Sequence, residues 1–346
     1  MNDKILNSLM EKLNIKNINP DTKCWVVRCE KGSKYFKSFK YHGIAAIGHI
    51  DALGYKKLDT FLNNLEDSEI KLQETIKKNR DDLEDSSIRR IAKKYINQTL
   101  TFINEIKEND YVITIGSESV LIGYATKYCG LSNENLTFSE DMKNENLHGE
   151  HYNIEMSLSL RREVLWEYEI PRNKLPSSLF KATLSMQTVY EYSDIHSLLH
   201  MIYPIYIFNN QLFKFSINIE QERDLSNFQI SQLFNLINEL EFVFKNGNKI
   251  TKSNYDLLLS EFDNYEMSVK ANFMSPGETW VSLILNYEEM ATAIVVYSML
   301  FGNSKLGFDG IIDKDIRHLI ANKLLNNKNK TMKDELKLSP PEFDTD

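Results

Sequence analysis

The chain has 346 residues, 42% of them hydrophobic and 26% charged, long enough for two domains with a substantial buried core. Its net charge of −8, with most of the surplus acid after residue 196, argues against long-range capture of duplex DNA, which calls for a basic face. Three cysteines, Cys24, Cys29 and Cys129, make neither a metal-type pair nor an even disulfide set, so a reducing cytoplasm is the expected setting.

No apolar run follows a basic start at the N-terminus, so no secretory signal is expected. Residues 4–14 carry Ile5, Leu9 and Leu13 on one stripe and predict a short helix, closed by Asn19-Pro20. The pattern from 23 to about 50 is strand-like: Cys24-Trp25-Val26-Val27 and Ile44-Ala45-Ala46-Ile47 are apolar on both faces. Residues 56–108 switch to helical spacing, with Ser86-Ser87 as a candidate cap and Lys77 to Asp82 as a solvated loop. Strands return at Tyr111 to Ile115 and Val120 to Tyr124 around a turn at Gly116 to Ser119. A polar loop over 131–150 precedes strands at 154–160 and 162–167, the last ended by Pro171.

Residues 196–326 read as a second α+β unit. Pro204 to Glu220 predicts a hairpin turning at Asn209-Asn210, followed by a helix from Ser226 to Asn246-Gly247 and another over 252–263. Met267 to Phe273 is strand-like, and helices are predicted near 287–301 and 311–325. The run from Met290 to Phe301 falls short of the ~20 residues a membrane span needs, so it reads as a buried helix. From about 327 the Asn- and Lys-rich tail is expected to be disordered.

Trp25 and Arg28 place an aromatic plate and a fixed cation beside a strand whose neighbours include Gly43 and Gly48. Flat, polar-edged molecules such as nucleobases are held by that combination. The alternative reading makes Trp25 and Trp166 core residues and gives Arg28 a structural carboxylate. Lys31, Lys34, Lys37 and Lys40 interleave with Tyr35, Phe36 and Phe39, as a solvated hairpin edge or as a phosphate-contacting edge beside a base pocket.

The ordered series Cys24-Trp25-Val26-Val27-Arg28, Gly43 to Gly48, a helical insert, Asn109-Asp110-Tyr111-Val112, Ile122-Gly123-Tyr124, Arg161 to Trp166, Leu175-Pro176, Leu179 and Thr188-Val189 resembles a known family. Residues 21–195 are similar to the EVE-like branch of the PUA superfamily, in the form found at the front of Mrr-type restriction proteins. That resemblance implies a small β-barrel with an aromatic pocket for a base, often a modified one, joined to an effector. Trp25 and Arg28 match its opening motif, and Gly43, Ile47 and Gly48 its pocket-side strand. Arg162 and Trp166 match its late strand, Tyr124 follows the closing Ile-Gly pair, and Phe36 lies in its lysine- and aromatic-bearing segment. Asn109-Asp110 stands where Gly-Asp is common, and the acidic balance departs from a duplex binder.

Other chemistry is thin. His196 and His200 are four apart without a third ligand, and His148-Gly149-Glu150-His151 lies in a predicted loop. The expected protein is α+β: an N-terminal helix over 1–20, an EVE-like barrel over 21–195 with its insert at 56–108, and an interaction domain over 196–326. It is read as a non-catalytic cytoplasmic sensor, needing no cofactor or metal, that binds a modified nucleobase in DNA or RNA or a free nucleotide. Its expected partners are an effector protein or further copies of itself, not a membrane, and the resemblance suggests anti-phage defence. The alternatives are a nuclease or toxin with its active site in 196–326, or an interaction scaffold.

Overall fold

The computed structural model describes residues 2–140, 152–175, 177–182, 185, 187–219, 224–247, 249–272, 277–301 and 338–339. Helix α1 (Asn2–Lys12) and strand β1 (Lys16–Ile18) come first, then β2 (Cys24–Val27), α2 (Phe36–His42) and β3 (Ile44–Ile47). Helices α3 (Leu58–Leu62), α4 (Leu65–Asn79) and α5 (Asp85–Leu100) follow, and α5 runs on into a π-helical turn at Thr101–Glu105. Next are β4 (Tyr111–Ile115), β5 (Ser119–Leu131), β6 (Leu136–Glu140), β7 (Tyr152–Met156), β8 (Leu160–Pro171), α6 (Ser177–Ala182) and β9 (Val189–Glu191). The remaining elements are α7 (Ile195–Ile202), β10 (Ile205–Phe208), β11 (Leu212–Ile219), α8 (Asn227–Asn246), α9 (Tyr255–Glu261), β12 (Ser268–Asn272), β13 (Gly277–Ile284), α10 (Tyr287–Phe301) and β14 (Leu338–Ser339).

The protein is mixed α+β and divides into two compact units, Thr22–Ser197 on one hand and Met1–Asp21 with Leu198–Glu342 on the other. In the Thr22–Ser197 unit six strands pair in the order β3-β8-β5-β4-β2-β9, with β2 and β4 parallel and the other ladders antiparallel. Among the described residues this sheet does not close into the barrel the sequence suggests. Its end strands are short, four residues in β3 and three in β9, which leaves little backbone for the staggered extra ladder that closure requires. Its core joins the strands to the helical insert through Val27, Phe39, Ile47, Phe61, Ala92, Phe102 and Val164.

Several local expectations need correcting. The strand-like stretch of 23–50 is broken by α2, which buries Ser38 and Phe39. Lys34, Lys37 and Lys40 recur every third residue, and that spacing belongs to a helix face; a strand edge would repeat every second residue. Lys77 to Asn79 are the last turn of α4, not loop, and α5 begins at Asp85 with Glu84 as its N-cap, ahead of Ser86 and Ser87. The polar loop over 131–150 contains β6, paired antiparallel with β7 through Leu136↔Met156 and Phe138↔Ile154.

The second unit centres on a sheet ordered β1-β10-β11-β13-β12, with β14 pairing β11 at Asn218 and Ile219. The first 21 residues belong to this core: Leu6 and Leu9 are buried with Phe213, Phe215, Leu240 and Ile294, and β1 runs parallel to β10. Asn209 and Asn210 adopt φ of 54° and 57°, the left-handed pair a tight hairpin needs between β10 and β11. Ser226 and Gln229 form a reciprocal capping box that starts α8. Within the tail expected to be disordered, Leu338-Ser339 pairs as β14; the other predicted features of 311–346, and the His148–His151 loop, lie outside the described residues.

Candidate functional site

Among the described residues, most of those singled out from the sequence are engaged by other parts of the fold. Trp25 is 3% exposed, and its indole N–H donates to Asp110 Oδ2 at 2.9 Å. Asp110 also accepts the backbone N–H groups of Lys23 and Lys107, each at 2.9 Å, which ties β2 to the approach to β4. Trp25 is therefore a core tryptophan with its polar edge already satisfied. Arg28 lies three residues further along an extended segment, a spacing that turns side chains to opposite faces. Its guanidinium donates to Ser185 O and its backbone N–H to Thr188 O at 2.9 Å, so it anchors the segment leading into β9.

The glycines serve packing. Gly43 sits at φ 63° as the left-handed cap of α2. A side chain at Gly48 would meet Asp51 Oδ2 at 2.7 Å and Leu158 Cδ2 at 2.8 Å, so protein fills the space the sequence assigns to a ligand. Ile47 is buried, and Phe36 packs over Gly116. Arg162 is 3% exposed and donates to Phe102 O at 2.9 Å and Ile103 O at 3.1 Å, carbonyls presented by the π-helical turn. Burial pulls its pKa down, opposed by Cys129 and Asp110. The Trp166 indole donates to Phe39 O at 2.9 Å, and the half-buried Tyr124 has its phenol pushed up by burial and by Glu167. Of the lysine ladder, Lys40 pairs with Glu169 at 2.7 Å and Lys34 lies 4.9 Å from the Tyr35 ring centre.

The two histidines of α7 are not brought together with a third ligand. His200 is buried, stacked on Trp280 at 5.0 Å, with Nδ1 3.1 Å from Ser216 Oγ. Among the described residues, no group of three or more His, Cys, Asp or Glu side chains is arranged to hold a metal. Among those residues, too, no helix is long and apolar enough to cross a membrane.

A different surface brings polar groups together. Arg90, Lys93, Lys94, Asn97 and Gln98 of α5, with Thr101 just beyond it, line an open groove of about 460 Å³, facing Gln187 and Val189. Their spacing of three and four residues defines one helical face, next to the buried stripe of Ile88, Ala92 and Ile96. None of the three cations enters an ion pair among the described residues, whereas Asp85 at the start of α5 is paired with Lys77 at 3.0 Å. A protein of net negative charge thus carries a local strip of unneutralised positive charge along a concave wall.

Gln98 is the least exposed polar member of that wall, at 7%. Its carboxamide lies 2.8 Å from His49 Nε2 and 3.3 Å from the backbone N of Thr188. The Thr188 N–H can only donate, so the carboxamide atom at that junction is the oxygen. It follows that His49 Nε2 also donates. The imidazole is stacked on Tyr95 with centroids 4.4 Å apart and planes 8° from parallel. Burial is the main cause holding its pKa below the ordinary value, with Lys94 acting in the same direction.

The sequence reading passes over this face. Its signal was present as Arg90, Lys93, Lys94, Asn97 and Thr101 recurring at helical spacing opposite the apolar stripe. What periodicity cannot supply is the opposing wall, Gln187 to Val189, nearly 90 residues away in sequence. Comparison with known proteins finds no matching family model, no matching curated protein and no matching solved structure.

Proposed function

We propose that the Thr22–Ser197 unit is a non-catalytic module that binds a phosphate-bearing nucleobase ligand, a nucleotide or a short stretch of single-stranded nucleic acid, in the groove along α5. The observation that carries this reading is the groove itself: Arg90, Lys93 and Lys94, in no ion pair among the described residues, beside the amides of Asn97, Gln98 and Gln187. Cations of this kind meet phosphate oxygens, and carboxamides meet the donor and acceptor edges of a base. The net charge of −8 fits a small or single-stranded ligand better than a long duplex.

The same reading takes the sheet as an open relative of the EVE-like, PUA-type module. In its favour, most of the motifs behind that resemblance fall on strands of one sheet: Trp25 on β2, Ile44–Ile47 on β3, Tyr111–Ile115 on β4, Gly123 on β5, Arg162 on β8 and Val189 on β9. Ligand recognition is moved from the Trp25 side of β2 to the α5 groove, because the Trp25 indole is committed to Asp110. Sensing of modified bases in a defence setting remains the biological context this reading suggests, with the Leu198–Glu342 unit as the part that engages a partner.

Fluorescence anisotropy with labelled single-stranded DNA, single-stranded RNA, duplex DNA and nucleoside monophosphates, each with and without base modification, tests it. Three phosphate contacts on a single strand predict a log–log salt slope of about −2. Lys93→Glu with Lys94→Glu is expected to weaken binding more than about tenfold and to flatten that slope. No binding to any of these ligands at low salt overturns the proposal.

A further inference from the structure

The geometry points to Gln98 as a specificity-determining residue, a donor of fixed direction that selects nucleobases presenting a keto oxygen; this rests on the nucleotide reading of the α5 groove. Gln98 already has one of its two polar atoms engaged inside the fold. Its oxygen accepts from His49 Nε2 at 2.8 Å and from Thr188 N at 3.3 Å, so both lone pairs face inward. Thr188 is itself held through its carbonyl, which accepts from Arg28 N at 2.9 Å. His49 is fixed by its stack on Tyr95.

The carboxamide therefore cannot flip without setting its NH2 group against two N–H donors. That leaves the Gln98 nitrogen with two hydrogens and no protein partner among the described residues, on the wall of a groove and in a residue only 7% exposed. The nitrogen opens on the groove, where water meets it in the free protein and a ligand acceptor can take that water's place.

Asn97 and Gln187 also line the groove, but both are exposed and can rotate to offer either oxygen or nitrogen. Among the described carboxamides of this wall, Gln98 is the one whose polarity the fold fixes. A 6-keto purine or a 4-keto pyrimidine satisfies it, whereas the corresponding amino base sets donor against donor. His49 and Thr188 act as positioning groups: they touch no ligand and set which face of the carboxamide the ligand meets.

Two pairs of nucleotides isolate the effect, because each pair differs at one exocyclic group and its neighbouring ring nitrogen: inosine against adenosine monophosphate, and uridine against cytidine monophosphate. By isothermal titration the wild-type protein is expected to favour the keto member of each pair by about tenfold. Gln98→Glu keeps an oxygen for His49 and Thr188 but presents an acceptor to the groove. Its added charge weakens both members of a pair, and the keto-to-amino ratio is expected to fall below one. His49→Phe keeps a ring on Tyr95 without the N–H, so the carboxamide is free to turn and the ratio moves toward one. A wild-type ratio of one, or an unchanged ratio in both variants, overturns the role of Gln98 while leaving the groove as a nucleotide site. Failure of all four nucleotides to bind the wild-type protein overturns both readings.

Discussion

Asp110 and Gln98 sit in the same unit, each almost out of contact with solvent, and each accepts N–H groups from distant parts of the chain. Asp110 takes three: Lys23 N, Trp25 Nε1 and Lys107 N. Both of its oxygens are engaged inside the fold, and its work is to join β2 to the entry of β4. Gln98 takes two through one atom and retains two hydrogens on the other. The lesson is that burial of a polar residue does not by itself distinguish architecture from recognition. What distinguishes them is whether every polar atom of the side chain is engaged inside the fold.

The sharpest test of that contrast is Asp110→Ala. It strands three donors in the interior, one of them an indole, and is expected to cost about 3–5 kcal/mol. Urea denaturation of the two variants side by side is the measurement: Gln98→Ala, which strands two donors, should cost about 1–2 kcal/mol. Equal losses would erase the distinction.

Glu241 extends the comparison to the other unit. It is fully buried on α8, accepts Glu266 N at 2.6 Å and Met267 N at 3.0 Å, and pairs with Lys245 at 3.2 Å. By the same reasoning it belongs with Asp110, as a carboxylate with both oxygens engaged inside the fold. Glu241→Ala is expected to cost about 2–4 kcal/mol, because it leaves two backbone donors unpaired, while groove binding at saturating protein fold is unchanged. Loss of nucleotide affinity in a folded Glu241→Ala protein would contradict the assignment.

How far these roles were legible in sequence differs from residue to residue. The apolar runs at 24–27, 44–47 and 111–115 announce strands because burial on both faces leaves no other reading, and Met290 to Phe301 announces α10 for the same reason. Segment 34–42 was misread because its aromatic content favours strands, although its lysines keep helical spacing. Trp25 looked like a binding residue because an indole in a strand has the same letters whether its N–H meets a ligand or Asp110, 85 positions away. Gln98 had no local signature: its meaning comes from His49 and Thr188, 49 and 90 positions distant. The place of α1 in the second core likewise depends on β1 pairing with β10 across most of the chain.

Trp25→Phe follows in size. It keeps most of the ring in the core and removes only the N–H that Asp110 Oδ2 accepts. A cost of about 1–2 kcal/mol in denaturant midpoint is expected, with nucleotide affinity at the wild-type level. Reduced affinity in a folded Trp25→Phe protein would return recognition to β2 and break the division of labour between the two sites.

The smallest effect concerns His49 and is read in pH. Burial, with Lys94 adding to it, holds the folded imidazole below its ordinary pKa, while Gln98 and Asp51 oppose the shift. The unfolded chain takes up its proton near about pH 6.5, and the folded protein does so only at lower pH. Between those two points the unfolded state carries more protons, so stability rises with pH across the window and is lost as pH falls below about 6.5. Above it the contribution is constant. Urea midpoints at pH 5.5 and 7.5 should therefore differ more for the wild-type protein than for His49→Phe, by less than about 1.4 kcal/mol per pH unit. The two proteins having the same pH dependence would mean that His49 is hydrated rather than sealed against Tyr95 and Gln98. The carboxamide of Gln98 would then be free to turn, and its contrast with Asp110 would vanish at the point where the fixed donor is needed.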